Sequence, residues 1–289
     1  MRLKASFDGP FAHKCATLAR LIASPRLMSR WLTPIDYVRY RELDFALRAV
    51  ERYKPSPRCV LDISSPKLVP LAIAHQYPRA AVRSTDIIQT EIDWVTRSAH
   101  TLDLPNLQPE LADARKLEYD DNAFDLITSI SVFEHIAPET DGELPAVREM
   151  ARVLAPGGVA VLTVPFSHKY FADYVAGDVY ERSGHPGKPI FFQRFYDLPL
   201  LKRNIIDASG LELVDLRFIE ERYFFRDPRR RMAHYINASP RQRLWIGPLY
   251  PLLSHVFLSS PKALDRCTKP YLACIVLRKP RVGPGNVRE

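Results

Sequence analysis

The sequence predicts an α/β fold: a doubly wound, mostly parallel sheet with an antiparallel edge strand, plus N-terminal helices and an insertion before the last strand. Three observations predict it. Short apolar runs of the kind used for buried parallel strands recur along the chain, segments of helical period lie between them, and proline and glycine signals separate the two.

From 36 to 53, Tyr37, Tyr40, Leu43, Leu47 and Val50 recur at helical spacing, with Arg39, Arg41, Glu42 and Glu51 on the other faces. This is an amphipathic helix leading into the domain. Pro55 and Pro57 end it, and RCVLDIS is the first strand, closing near Asp62. A helix is expected over about 67–77, then a strand in AVRSTDI, a helix over 92–99 and a short strand near Leu111. FDLITSISV is the next strand, 144–154 the next helix, and GGVAVLTVPF the strand after a Pro156-Gly157-Gly158 turn. A helix over 198–209, stopped by Gly210, leads to LELVDLRFI, and YLACIVLRK supplies the final strand; these two form an antiparallel edge pair. The expected divisions are a helical segment 1–54, an α/β domain 55–225, a basic and apolar insertion 226–268, the final strand of the domain 269–280, and a tail 281–289.

A chain of 289 residues with 46% hydrophobic content buries a substantial core. Its four cysteines (Cys15, Cys59, Cys267, Cys274) show no CxxC spacing, so neither a disulfide framework nor a metal site is indicated, and a reducing compartment is the simpler reading. The net charge of +8 favours anionic partners. Six arginines, Arg226, Arg229, Arg230, Arg231, Arg241 and Arg243, fall in one stretch, but no stacking motif is interleaved with basic residues, so no nucleic acid is expected. Lys14 and Arg20 interrupt the N-terminal apolar residues, which argues for a retained, helical segment rather than a secretion signal. The longest apolar stretch, 244–258, contains Pro248 and Pro251 and falls short of the roughly 20 residues that cross a bilayer. A cytoplasmic location is expected.

In a doubly wound sheet, ligands bind beyond the carboxyl ends of the strands. Asp62, Asp86 and Asp113 follow three successive strands, so side chains distant in sequence converge on one rim. A carboxylate there accepts both ribose hydroxyls, or a proton from an adenine amino group. A lone strand-end aspartate is more often a turn former or helix cap; three together favour a site.

The segments VLDIS, STDI, ADARKLEYDDNAFDLITSISVFEHI and ARVLAPGGVAVLTVPF resemble, in order and spacing, the successive motifs of class I S-adenosylmethionine-dependent methyltransferases, whose fold is Rossmann-like. The likeness covers about 58–166 and extends more weakly to FFQRFYDLPLLKRNIIDASGLELVD, similar to the subgroup acting on small molecules. It implies S-adenosylmethionine as cosubstrate. Asp86, followed by Ile87, would hold the ribose, Asp113 and Ala114 would face the adenine, and Ile130 and Ser131 would line the methionine side, supported by Asp62. The family's DxGxGxG loop is replaced by Asp62-Ile63-Ser64-Ser65-Pro66-Lys67-Leu68, without a glycine. Ser64 and Ser65 are candidate contacts within it and candidate caps for the following helix. Pro66 fixes φ and removes a donor, which predicts altered binding. Lys67 is a candidate contact to the cosubstrate carboxylate, weighed against the commoner solvated lysine.

His135 and His168 are the candidate proton acceptors for an oxygen nucleophile, each weighed against an ordinary packing role. The aromatic and glycine-containing stretch 169–194 suits a lid over an apolar or aromatic acceptor. The acceptor is expected to be a small molecule or lipid-linked. For 226–258 two readings stand: peripheral contact with an anionic membrane, or packing on the sheet edge or a second subunit, the latter favoured. The glycine-free loop keeps an inactive binding or scaffold protein of the same fold as the alternative function. A dinucleotide-binding dehydrogenase is disfavoured because no GxGxxG loop is present.

Overall fold

The computed structural model describes residues 37–180, 182–183, 188–222, 246 and 249–281. The expected helices before residue 37, Cys15, the arginine cluster 226–243 and the tail beyond 281 lie outside the described residues.

The chain runs α1 (Arg39–Tyr53), β1 (Cys59–Ile63), α2 (Leu68–Gln76), β2 (Ala81–Asp86), α3 (Gln89–Thr101), β3 (Leu107–Leu111), β4 (Phe124–Ile130), α4 (Leu144–Val153) and β5 (Leu154–Pro165). It continues through β6 (Phe171–Val175), β7 (Ile190–Phe195), α5 (Leu198–Leu201), β8 (Glu212–Glu220), α6 (Tyr250–Phe257) and β9 (Pro270–Arg278). Seven strands form one sheet in the order β3-β2-β1-β4-β5-β9-β8. The pairs among β1 to β5 are parallel, whereas β9 runs antiparallel to both β5 and β8. The reversed strand is thus the last in sequence, one place in from the edge.

The apolar runs are continuous because both faces of the sheet are covered. Val60, Leu126, Val159, Val161 and Val276 face one cluster with α1 to α3; Leu61, Ile127, Ala160, Leu162, Ile275 and Leu277 face the other with α4 and Leu201 of α5. Neighbouring residues of one strand therefore alternate between two cores.

Four details differ from the sequence reading. The Pro156-Gly157-Gly158 turn is absorbed into β5, where Gly157 takes φ +76° and the pairing with β4 shifts register near Leu126. The helix over 198–209 is α-helical at its start, π-helical over Lys202–Asp207 and α-helical again at 208–209 before Gly210 ends it at φ +63°. The expected lid contains a two-stranded antiparallel ribbon, β6 with β7, set apart from the main sheet. Glu42, placed by its period on an outer face of α1, is fully buried. Among the described residues no helix is long and apolar enough to cross a membrane, and none of the His, Cys, Asp or Glu side chains gather as a metal site.

Candidate functional site

Chain connections diverge between β1 and β4, one leading outward to β2 and the other to β5. The crevice beyond the carboxyl ends of these two strands is the switch point of the sheet. Asp62 lies there fully buried, opposite Thr128, whose hydroxyl donates to Oδ1 at 2.7 Å, while Oδ2 is buried without a protein partner. Burial pushes the Asp62 carboxyl up to about 6, against the pull of Ser65 and Thr128 hydrogen bonds and the Lys67 charge. The Ile130 N–H donates to Ser65 Oγ at 3.0 Å and ties the two strand ends together.

The glycine-free loop keeps the turn a glycine would make. Ser64 takes φ +49° and donates its N–H to the Thr85 carbonyl at 2.8 Å. A side chain in this left-handed region costs about 1–2 kcal/mol relative to the right-handed one, which the surrounding hydrogen bonds offset. Ser131, at the end of β4, takes φ +53°; its hydroxyl donates to Glu42, which also accepts from Thr163 Oγ1 at 3.0 Å and Arg39 at 2.5 Å. Helix α1 thereby reaches into the rim of the crevice.

At the end of β2, Asp86 Oδ1 accepts the Ile88 N–H at 3.0 Å and Oδ2 accepts from the Lys67 ammonium. Lys67 is not a solvated lysine: its side chain is 15% exposed and its second carboxylate neighbour, Glu91, lies at 3.9 Å. Ile87 is half-buried beside it. The loop after β3 joins this rim through the Ala112 N–H, which donates to the Asp86 carbonyl at 3.0 Å. On that loop Ala114 is buried, and the Arg115 guanidinium clasps Asp113 through both carboxylate oxygens, holding its carboxyl below the usual range. The predicted cosubstrate residues of β1, β2 and β4 thus share one crevice, with Asp113 and Ala114 on the adjoining loop.

Beyond β4 the short turn Phe133–His135 carries a second group. His135 Nδ1 lies 2.9 Å from the Phe192 carbonyl, and its ring meets Phe192 and Tyr180 at centroid distances of 4.8 and 5.3 Å. A carbonyl only accepts, so Nδ1 carries the proton and Nε2 keeps its lone pair. Burial drives the imidazole down to about 4, so it is neutral at pH 7. Nε2 is 3.6 Å from Glu134 Oε1. Glu134 is 1% exposed, its Oε2 is buried without a partner, and burial pushes it up to about 8. His168, in contrast, is exposed on the turn after β5.

This second group rests on a buried ion pair. Arg194 of β7 and Glu143 are both 0% exposed and directly paired; the guanidinium also donates to the carbonyls of Ile136 and Pro138, both at 2.7 Å, and Glu143 accepts from Asn204 at 2.9 Å and Tyr196 at 3.1 Å. The ribbon is fastened to the same loop by Tyr170, which donates to Glu139 at 2.6 Å, and by Tyr174. Sequence reasoning missed Glu42, Glu134 and Arg194. Glu134 stands next to the flagged His135, and a carboxylate in an otherwise apolar post-strand turn is the only local signal among the three.

Residues 61–162 match the sequence family described as the methyltransferase domain. No curated protein sequence matches the chain. Among solved structures, coclaurine N-methyltransferase is similar at 13% identity and TM-score 0.53, covering 82% of this chain and 70% of its own. The [4+2]-cyclase SpnF is similar at 18% identity and TM-score 0.52 over 83% of this chain and 81% of that one. An S-adenosylmethionine-dependent methyltransferase from Clostridium acetobutylicum is similar at 14% identity and TM-score 0.52 over 93% and 98% of the two chains. At these identities the likeness establishes the fold, which a cyclase shares with methyltransferases.

Proposed function

We propose that the chain, whose residues 61–162 match a methyltransferase domain, uses S-adenosylmethionine as its cosubstrate and transfers the methyl group to a small-molecule or lipid-linked acceptor. The observation that supports this reading is the convergence of Asp62, Asp86 and Ser131 at the switch point, with Glu134 buried beyond the end of the same β4 beside His135, whose ring meets Tyr180 and Phe192.

The residues present fit the cosubstrate. The unpartnered Asp62 Oδ2 suits an amino donor at the methionine end, and the left-handed Ser64 keeps backbone close to the strand ends as a glycine would. On this reading Asp86 and Ile87 hold the ribose, Asp113 and Ala114 face the adenine, and Ser64, Ser65, Ile130 and Ser131 line the remainder. When bound, the cosubstrate supplies an electrophilic methyl on a sulfonium whose charge is lost on in-line transfer. The protein's contribution is then to position the partners and exclude water. Where the acceptor carries a proton, Glu134 would take it only through its ionised fraction, which is small at pH 7 and grows as pH rises toward about 8. His135, at about 4, holds a proton weakly, and its fixed tautomer aims Nε2 toward Glu134.

The lipid-linked branch draws on α6, which leaves Leu252 and Val256 exposed one turn apart, with Leu249 exposed just before it. In sequence this follows the six arginines of 226–243, a pattern suited to peripheral contact of 226–258 with an anionic membrane. The test is incubation of the full-length chain with methyl-labelled S-adenosylmethionine and a cell extract, followed by separation of lipid and aqueous fractions. Label entering either fraction supports transfer and selects the branch. Binding without any label transfer would favour the non-catalytic alternative, which the Lys67 contact on Asp86 independently motivates.

A further inference from the structure

We propose that Lys67 is a latch on the ribose-binding carboxylate, released toward Glu91 when the cosubstrate engages Asp86; the proposal rests on the methyltransferase reading above. Both oxygens of Asp86 have protein donors: the Ile88 N–H on Oδ1 and the Lys67 ammonium on Oδ2. The Asp86 side chain is only 9% exposed, and the ammonium lies directly on one of its oxygens. Each carboxylate oxygen keeps a second lone pair, but the ammonium competes with a ribose hydroxyl for the approach to Oδ2, so engagement of the diol favours withdrawal of Lys67.

The structure supplies the place to withdraw to. Glu91 Oε2, in the first turn of α3, lies 3.9 Å from the same Nζ and is 39% exposed at its side chain. The ammonium thus swings between two carboxylates without losing a charged partner, and the lysine stem starts at the first turn of α2, a fixed pivot. Lys67 falls at the variable position between the family's second and third glycines, which Pro66 and Leu68 replace here, so the departure in the loop sets a movable cation between two residues that are no longer glycine. Burying the Asp86 charge with only the Ile88 N–H as donor is costly, and Lys67 supplies a countercharge in the free protein.

The latch is tested by calorimetric binding of S-adenosylhomocysteine to the full-length protein. This probe carries no sulfonium, so a general effect of removing a positive charge drops out. Lys67→Met and Lys67→Gln are expected to bind it about tenfold more tightly than wild type, and Glu91→Gln about threefold more weakly. On an Asp86→Asn background, the effect of Lys67→Met is expected to vanish. Unchanged or weaker binding by both Lys67 variants, with melting temperatures showing that they are folded, overturns the latch. So does a gain that persists on the Asp86→Asn background, which would mark a change in loop structure. Binding that fails in wild type and every variant alike overturns the methyltransferase reading itself, and the latch with it.

Discussion

Two ion pairs near the crevice, Arg194–Glu143 and Lys67–Asp86, differ in how completely their charges are used. Arg194 and Glu143 are wholly buried, and the pair is surrounded by carbonyl acceptors on one side and by Tyr196 and Asn204 donors on the other. Lys67 makes one close contact to Asp86, keeps some exposure and has Glu91 within reach. The first pair has no second arrangement and serves to hold the turn that carries Glu134 and His135. The second has Glu91 as a further carboxylate within reach of its lysine and stands at the carboxyl ends of the strands, where we propose that the ligand binds. Charge at a site is structural or functional according to whether an alternative partner is available.

The largest effect is expected from breaking the fixed pair. Arg194→Met leaves Glu143 buried without its cation, which costs about 3–5 kcal/mol of stability by urea unfolding. A loss below about 1 kcal/mol would remove the distinction between the two pairs.

Glu134 sharpens the comparison, since it is as buried as Glu143 but lacks a cation and leaves one oxygen unpartnered. Its folded value, about 8, lies above the ordinary 4.5, so the folded state binds the extra proton between these limits. Stability from this group is present below about 4.5 and is lost as pH rises through 8. Glu134→Gln should therefore gain on wild type as pH rises from 4 to 9, by on the order of 5 kcal/mol in all. His135 works in the opposite sense: its value is depressed from 6.5 to about 4, so its contribution is present above 6.5 and is lost as pH falls through 4. His135→Gln is expected to flatten the acid limb of the melting-temperature profile. If neither variant changes the pH dependence, the turn is more solvated than its burial indicates.

A smaller effect concerns the loop that carries the movable lysine. Ser64→Gly relieves a side chain at φ +49°, and about 0.5–1 kcal/mol of stabilisation is expected after the added flexibility of the unfolded chain is subtracted. Destabilisation by Ser64→Gly would show that the serine hydroxyl, rather than the backbone turn, secures the loop.

The fold was legible because a sheet covered on both faces writes itself into the chain as continuous apolar runs, and Asp62 and Asp86 are visible where those runs stop. Glu42 was misplaced because helical period reports one packing face, whereas its carboxylate is buried by Ser131 and Thr163 from distant strands. Arg194 reads as an ordinary strand cation until Glu143 and the carbonyls of 136 and 138 are assembled around it. The β6–β7 ribbon escaped because its strands are short, separated by glycines and aromatic on both faces. Long-range polar pairing leaves no periodic trace, and the turn after β4 and the ribbon beside it are held by pairing of that kind.

Asp62 and Asp86, at the ends of β1 and β2, are proposed to hold an adenosine cosubstrate despite the glycine-free loop. Titration of S-adenosylmethionine into the full-length protein, compared with Asp86→Ala, tests that role most directly. The account predicts one saturable site in wild type and binding weakened by about tenfold or more in the variant, the loss of about 1.4 kcal/mol or more. Absence of binding by a folded wild type, or equal affinity in the two proteins, would contradict it.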